Sequence, residues 1–300
     1  MRGAASCSTT RCAFSTRYFS DRLLFSFAKG DDVNNWAGRR FGNGAIFTAV
    51  VLFLCAAVSP AAAAPLGEEL TVAAASDLNF AFKDLVTEYE KATGQHVKLS
   101  LGSSGNFYSQ IQNGAPFDLY FSADIGYPMK LEEAGLTVPG TLYRYAVGRI
   151  VVWAPTSSLL PVEKLGVEVL LDPSIRRIAI ANPKHAPYGR AAVAAMQHFK
   201  VHDRVKDKLV LGENISQAAQ FVESGASDVG VIALSLALVP SMKAMGKYSV
   251  IPTDAHPPLE QGAVILKASK NQETAKIFLG FVKGPKGQEI MRRYGFTVPD

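Results

Sequence analysis

Cysteine is missing from most of the chain. Of the 300 residues only three are cysteines, Cys7, Cys12 and Cys55, and all three lie within the first 64 residues. From residue 65 on, the chain can therefore hold neither a disulfide framework nor thiol chemistry. The same part carries 24 Lys and Arg against 23 Asp and Glu, a formal net charge of +1. This balance gives no electrostatic reason to expect nucleic acid as a partner, and we expect none.

The sequence also lacks the motifs on which common catalytic and cofactor sites depend. It contains neither a P-loop nor a Rossmann glycine fingerprint. Residues 102–106 (GSSGN) approach a nucleophile elbow but lack its final glycine. His198 and His202 are four residues apart, yet no third metal ligand follows them at a suitable spacing. These absences favour a binding protein over an enzyme, with no cofactor.

The first 64 residues have the pattern of a secretory signal peptide. Arg39 and Arg40 precede an apolar run over residues 45–58, and small residues follow at 61–64. The apolar run is too short for a comfortable membrane span. We predict cleavage after Ala63 and a periplasmic location. Because the segment before the apolar run is unusually long, a true start at Val33 is a further hypothesis.

From residue 70 on, short apolar strands alternate with amphipathic helices. After the strand at 70–75, Phe82, Leu85 and Val86 recur with helical spacing, and Gly94 closes the helix. Ser76 or Asp77 is the predicted N-cap of this helix. The strand at 149–154 interrupts the alternation, which then restarts. Such alternation predicts an α/β fold, with largely parallel sheets covered by helices.

Four junctions of this chain share one design, at residues 75–77, 103–106, 186–189 and 214–216. Each joins the end of a strand, a turn of small or polar residues, and the start of a helix. A helix N-terminus presents unpaired N–H groups and the positive end of the helix dipole. Ligands of open α/β sheets bind at the carboxyl ends of the strands. The four junctions therefore predict a cage for an anion that needs no Lys or Arg.

Several separated motifs resemble those of one known family. They are A-A-A-S after the first strand, G-S-S-G after the second, G-A-P-F-D-L-Y-F-S-A-D at 114–124, and K-G-P-K-G-Q-E-I-M-R-R-Y-G-F at 283–296. From about residue 68 to its end, the chain resembles the periplasmic molybdate-binding component of ABC importers. The resemblance implies the two-lobed periplasmic binding protein fold of type II, each lobe a mixed, mostly parallel sheet covered by helices. Lobe one would comprise residues 65–147 plus 258–300, and lobe two residues 148–257.

The resemblance also implies a function and a site. The protein would bind molybdate and tungstate and deliver them to a membrane permease with its ATPase, acting as a monomer and not as an enzyme. The family positions that bind the oxyanion fall on Ser76, Ser104, Tyr188 and Ile215, and no side chain would bond the molybdenum itself. A tyrosine that donates in some members falls on Ala233, so that donor is missing. The phenol of Tyr188 or the N–H of Asp77 is expected to replace it.

Three alternatives remain open at this point. The same fold could bind another oxyanion, such as sulfate, thiosulfate or phosphate. Phosphate is disfavoured because its protonated form needs an acceptor carboxylate, for which Asp77 is the candidate. A secreted serine hydrolase that uses Ser104 belongs to a different class of protein. A sensor module without a transporter is the third alternative.

Overall fold

A computed structural model describes residues 69–298 of the protein. Within these residues the chain forms ten strands, eleven α-helices and four short 3-10 helices. The strands are β1 (Leu70–Ala75), β2 (Val97–Gly102), β3 (Leu119–Ser122), β4 (Tyr143–Gly148), β5 (Ile150–Pro155), β6 (Ile178–Ala181), β7 (Leu209–Gly212), β8 (Val229–Ala233), β9 (Gly246–Val250) and β10 (Leu259–Ile265). The helices are α1 (Asn79–Thr93), α2 (Ser104–Gln112), α3 (Gly126–Glu133), α4 (Val162–Leu165), α5 (Pro187–His198), α6 (His202–Val205), α7 (Ile215–Glu223), α8 (Leu234–Ala237), α9 (Pro240–Met245), α10 (Gln272–Lys283) and α11 (Pro285–Arg293). No helix in this part of the chain is long and apolar enough to cross a membrane.

The strands form two five-stranded sheets. The first sheet has the order β2-β1-β3-β10-β4, and the second has the order β7-β6-β8-β5-β9. In the first sheet β10 pairs antiparallel with both neighbours, while β1 pairs parallel with β2 and β3. In the second sheet β5 is antiparallel to both neighbours, and β6 is parallel to β7 and β8. Both sheets are therefore mixed with one reversed strand, which confirms the predicted fold class.

The chain passes between the sheets twice. It leaves the first sheet at the end of β4 and enters the second with β5, and it returns between β9 and β10. The parallel strands have the orders β2-β1-β3 and β7-β6-β8, so the chain changes direction beside β1 and β6. Ligands of such sheets bind at the carboxyl ends of the strands at these switch points. The predicted boundaries of the two lobes, at residues 147/148 and 257/258, stay a prediction.

The core follows the alternation of side chains along the strands. On β1, Val72 and Ala74 pack with Phe121 on the face covered by α1 and α10, whereas Ala73 packs with Tyr120 on the other face. The second sheet has its own core, in which Trp153 is 1% exposed, as expected for a core residue. Each sheet thus buries both of its faces.

Two parts of the fold differ from the predictions. The pattern of residues 163–171 predicts one helix, but Gly166 has φ of +54° and divides them into α4 and a 3-10 helix, Gly166–Leu171. A residue with positive φ cannot continue a right-handed helix. The strand β4 and the short helices α8 and α9 were not predicted at all.

Candidate anion-binding site

One small pocket gathers residues from all four predicted junctions. Counted with its open mouth, it contains about 180 Å³ of empty space. It is lined by Ala75, Ser76, Asp77, Gly102, Ser103, Ser104, Ala123, Ala186, Pro187, Tyr188, Asn214 and Ile215. None of these lining residues is a Lys or an Arg. An anion in this pocket would therefore be attracted by oriented N–H groups at helix starts and not by cationic side chains.

The structure brings together five of the six positions named from the sequence: Ser76, Asp77, Ser104, Tyr188 and Ile215. All five are at most 3% exposed. Ala233, the sixth, is fully buried at the end of β8, pairs with Ile150, and is not among the residues that line the pocket. The roles of these residues in binding remain predictions.

Each of these positions lies at or near the start of a helix or 3-10 turn that follows a strand. Ser76 follows β1 and Ser104 is the first residue of α2, while Tyr188 is in the first turn of α5 and Ile215 is the first residue of α7. The first N–H groups of a helix have no acceptor within that helix. The local sequence therefore points several N–H donors at one small space.

The two serines keep a proton to donate. The Oγ of Ser104 accepts a hydrogen bond from the N–H of Ala123 at 2.9 Å, and the Oγ of Ser76 accepts one from the N–H of Ser216 at 3.3 Å. A hydroxyl has one proton and two acceptor sites, so accepting these bonds leaves the proton free to point elsewhere. Both hydroxyls can thus serve as donors to an anion in the pocket.

The predicted N-cap of α1 is wrong. Residues Ser76–Leu78 form a 3-10 turn ahead of the helix, and no side chain caps either element. The Oγ of Ser76 is instead bonded to Ser216, and the carboxyl of Asp77 is bonded to Tyr188 and Gln261. The polar groups that a sequence pattern assigns to local capping are used here for contacts between distant parts of the chain.

The Asp77 carboxyl is the unusual group of the pocket. Its Oδ2 accepts from the hydroxyl of Tyr188 at 2.9 Å and from Nε2 of Gln261 at 2.7 Å. Its Oδ1 is buried and has no partner among residues 69–298. Burial raises the pKa of Asp77 to about 6, and the bonds from Gln261 and Tyr188 oppose this rise.

The hydroxyl proton of Tyr188 is already engaged in a hydrogen bond within the protein. It donates to Asp77, so in this geometry it has no proton left for an anion. Burial, and after it the carboxylate of Asp77, raises the pKa of this phenol well above its ordinary value. Of the two replacements expected for the donor missing at Ala233, the geometry therefore favours the N–H of Asp77.

A serine, a histidine and an acid meet at the edge of the pocket, but not as a catalytic triad. Ser103 Oγ lies 2.9 Å from Nδ1 of His185, and Nε2 of His185 lies 3.7 Å from Oε2 of Glu213. The hydroxyl proton of Ser103, however, is donated to the carbonyl oxygen of His185 at 2.6 Å. Because this proton is directed at a backbone carbonyl and not at the ring nitrogen, the contact is not that of an activated nucleophile. Ser104, the serine named for a hydrolase, is bonded to the N–H of Ala123 instead.

The pocket lies between elements that pack on different sheets. The N–H of Gly105 donates to the carbonyl of His185 at 2.9 Å, and Ser216 Oγ donates to the carbonyl of Ser76 at 2.8 Å. Ser235 Oγ donates to the carbonyl of Asp77 at 2.7 Å. These contacts hold the walls of the pocket together.

Sequence reasoning missed Ser103 and Gln261. Ser103 was named in the failed elbow motif and in the junction at 103–106 but was given no role of its own, although its hydroxyl joins α2 to the loop before α5. Gln261 lies in β10, 184 residues from its partner Asp77. A single glutamine in a strand carries no motif, so only the folded structure could reveal its role.

Comparison with known proteins identifies the class of protein that this fold and pocket represent. Residues 70–297 match the family of bacterial extracellular solute-binding proteins, and the chain belongs to that family. It is 40% identical to the molybdate-binding protein ModA of Azotobacter vinelandii over 237 residues, covering 79% of this chain and 93% of the relative. It is 38% identical to the ModA protein of Rhodobacter capsulatus, covering 84% and 95% of the two chains. The family resemblance drawn from the sequence motifs is thereby confirmed.

A solved structure agrees with these relatives. The periplasmic molybdate-binding protein of Azotobacter vinelandii superposes with a TM-score of 0.73 at 35% sequence identity. The match covers 77% of this chain and all of that one. The fold, with its two mixed sheets, is therefore that of a periplasmic solute-binding protein.

Proposed function

We propose that this protein binds molybdate, and tungstate with it, in the periplasm and delivers the anion to the permease and ATPase of an ABC importer. The observation that carries the proposal is the pocket itself, where five positions from four separate junctions meet without a lysine or arginine. The matches to relatives named as molybdate-binding proteins cover more than nine-tenths of the length of those relatives. The function requires no cofactor and no bond from a side chain to the metal, and we expect a monomer.

The chemistry of the pocket suits a dianion held by neutral donors. The hydroxyls of Ser76 and Ser104 and the N–H groups at Ser76, Ser104, Tyr188 and Ile215 would donate to its oxygens. Hydrogen bonds to a charged acceptor are shorter and stronger than neutral ones, above all in a buried site. An anion too small to reach all donors would leave some of them unpaired, at a cost of about 1–3 kcal/mol for each. Cage size can thus favour molybdate and tungstate over sulfate.

Two lobes that close on the anion would connect binding to transport. We propose that lobe one comprises residues 65–147 plus 258–300 and lobe two residues 148–257, because the chain passes between the sheets at these places. Ser76 and Ser104 follow strands of the first sheet, whereas Tyr188 and Ile215 follow strands of the second. An anion that bonds both sets favours the closed state, which an importer can recognise.

Calorimetric titration of the purified protein, stripped of bound anion, tests the substrate. We expect one-to-one binding of molybdate and of tungstate, with sulfate and phosphate much weaker. If sulfate or phosphate binds and molybdate does not, the pocket is an anion site but the proposed substrate is wrong. Failure of all four anions to bind would contradict the proposal.

Single serine variants test the site. Ser104→Ala and Ser76→Ala each remove one hydroxyl donor to a charged acceptor, so molybdate affinity should fall about 10- to 100-fold. Ser227→Ala is the matched control, because Ser227 is also buried, at 1% exposed, but lies outside the pocket. Equal effects of the three substitutions on affinity would place the binding site elsewhere.

A further inference from the structure

Three buried side chains form a closed network directly behind the pocket. The hydroxyl of Tyr188 donates to Oδ2 of Asp77 at 2.9 Å. Nε2 of Gln261 donates to the same oxygen at 2.7 Å and to the Tyr188 hydroxyl at 3.0 Å. Each of the three residues is at most 2% exposed. Every member therefore contacts both others, out of reach of bulk water.

The network joins the two sides of the pocket. Asp77 comes directly after β1 and Gln261 lies on β10, both in the first sheet. Tyr188 begins α5, and its ring belongs to the core of the second sheet. Asp77 and Tyr188 also line the pocket themselves. A change in the network must therefore change the position of backbone on both sides of the pocket.

The network also lies against the first passage between the sheets. Gly148 ends β4, two residues before β5 begins. A Cβ atom at this position would overlap the hydroxyl oxygen of Tyr188 and lie 2.7 Å from Nε2 of Gln261. Real Cβ atoms do not approach other atoms so closely, so glycine at 148 leaves the space that the network occupies.

Stabilising the fold is a poor explanation for this network, because two of its buried acceptors lack hydrogen-bond partners. Oδ1 of Asp77 and Oε1 of Gln261 are both buried without a partner among residues 69–298. Unpaired buried acceptors destabilise a fold, and an incompletely paired network is worse than apolar side chains of the same shape. An unsatisfied buried group calls for an explanation other than packing.

We propose that Asp77, Gln261 and Tyr188 are positioning residues that hold the two walls of the anion pocket at a fixed separation and so slow the release of the anion. This inference rests on the proposed function and deepens it. The phenol of Tyr188 acts through Asp77 and not by touching the anion. The two contacts of the Tyr188 hydroxyl join the two sides of the pocket, so the network is complete only when these sides are together.

The rates of molybdate binding and release test this role in the full-length exported protein. Release is followed by chasing radiolabelled molybdate with unlabelled molybdate, and the association rate follows from the release rate and the affinity. In Tyr188→Phe we expect release to be about ten-fold faster or more, the value of one buried hydrogen bond to a charged group. The association rate should stay within about two-fold, since encounter precedes closure.

Tyr145→Phe is the matched control. Tyr145 is as deeply buried, at 1% exposed, but its hydroxyl donates to the carbonyl of Ser122 within the first sheet. Loss of this hydroxyl should reduce thermal stability and leave both rates unchanged. A purely structural role for Tyr188 would make the two variants behave alike, which would overturn the inference.

Gln261→Met provides a second, independent variant. It removes the shared donor and keeps most of the side-chain volume, and release should again accelerate. Because the three groups form one network, the double variant Tyr188→Phe/Gln261→Met should release molybdate more slowly than the product of the two single effects predicts. Unchanged release in both single variants, or effects that simply multiply, would overturn the inference alone. Wild-type protein that does not bind molybdate would overturn the proposed function, and this inference with it.

Discussion

At the scale of the residue, the most consequential feature is an acid at an anion pocket. A carboxylate there would repel a dianion, and no cationic side chain lines the pocket to compensate it. Asp77 is bonded only to neutral donors, and burial raises its pKa to about 6. Repulsion between a bound dianion and the ionised carboxyl is therefore strongest above this pKa. With this pKa the carboxyl is mostly ionised at neutral pH, and a bound dianion would favour its protonation.

The pKa of Asp77 predicts how stability depends on pH. The ordinary value is 3.8, so the folded protein binds this proton more tightly than the unfolded chain does. The free energy of unfolding should consequently fall as pH rises from about 4 to about 6 and then level off. Asp77→Asn removes this contribution and should increase stability at pH 7, by on the order of 3 kcal/mol at most. Chemical denaturation of both proteins at several pH values measures the difference.

Asp118→Asn serves as the comparison for that experiment. Asp118 is also buried, but its carboxyl accepts from the N–H and the hydroxyl of Thr71 and from the hydroxyl of Ser269. An amide has one oxygen in place of two and cannot accept all of these bonds, so this variant should be less stable at neutral pH. A pH profile of Asp77→Asn that matches the wild-type profile would contradict the assigned origin of the effect.

At the scale of the element, α2 depends on a glycine where two backbones approach each other. Gly105 lies in the first turn of α2, and a Cβ atom there would be 2.6 Å from the carbonyl oxygen of His185. That carbonyl also accepts hydrogen bonds from the N–H of Gly105 and the hydroxyl of Ser103. The close approach places the start of α2 against the loop that leads into α5.

Gly105→Ala should therefore weaken anion binding. The added methyl group forces the two walls apart, and overpacking of this kind costs about 1–3 kcal/mol, so affinity for molybdate should fall about ten-fold. Gly280→Ala is the control, since Gly280 lies inside α10 and a Cβ atom there would have no neighbour within 4 Å. It should raise stability by about 0.5–1 kcal/mol through helix propensity and leave affinity unchanged. Calorimetry and denaturation measure both; a Gly105→Ala protein with wild-type affinity would contradict the argument.

Elements with a strong local pattern were predictable from the sequence, whereas those shaped by distant contacts were not. The strand Leu70–Ala75 was predicted with its observed bounds, and α1 ends at the predicted glycine, Gly94. The N-cap of α1 was wrong because Ser76 and Asp77 bond to residues more than 100 positions away. Local propensity contains no information about such partners.

The candidate site, too, was predictable only in part from the sequence. Strand ends followed by polar turns indicated an anion pocket, and the family resemblance supplied the individual positions. Gln261 could not have been found, because its role exists only where β10 passes behind Asp77. The sequence likewise could not predict where the Tyr188 phenol lies, because its hydroxyl bonds Asp77 from a helix that packs on the other sheet.

At the scale of the whole molecule, an ion pair joins elements on the two sides of the pocket. Nη2 of Arg190, on α5, lies 2.6 Å from Oδ2 of Asp124, which follows β3. Nη1 of the same guanidinium donates to the hydroxyl of Tyr127. Both charged side chains are partly exposed, at 41% and 38%. Exposed pairs contribute about 0–1 kcal/mol, so this one can adjust closure but cannot decide it.

Arg190→Met should accordingly lower molybdate affinity by no more than about five-fold at low salt. Salt screens exposed charges, so the difference from wild type should vanish near 1 M salt, where the Debye length is about 3 Å. The loss in Ser104→Ala should persist there, because its hydroxyl is buried. Arg144→Met is the control, because Arg144 and Glu260 form a pair of similar exposure, 49% and 38%, between neighbouring strands of one sheet. Only a contact that spans the pocket can alter closure, so calorimetry should find the control unchanged at both salt concentrations. A loss of affinity in Arg190→Met that survives high salt would mean that the guanidinium acts on the anion itself and not on the approach of the two sides.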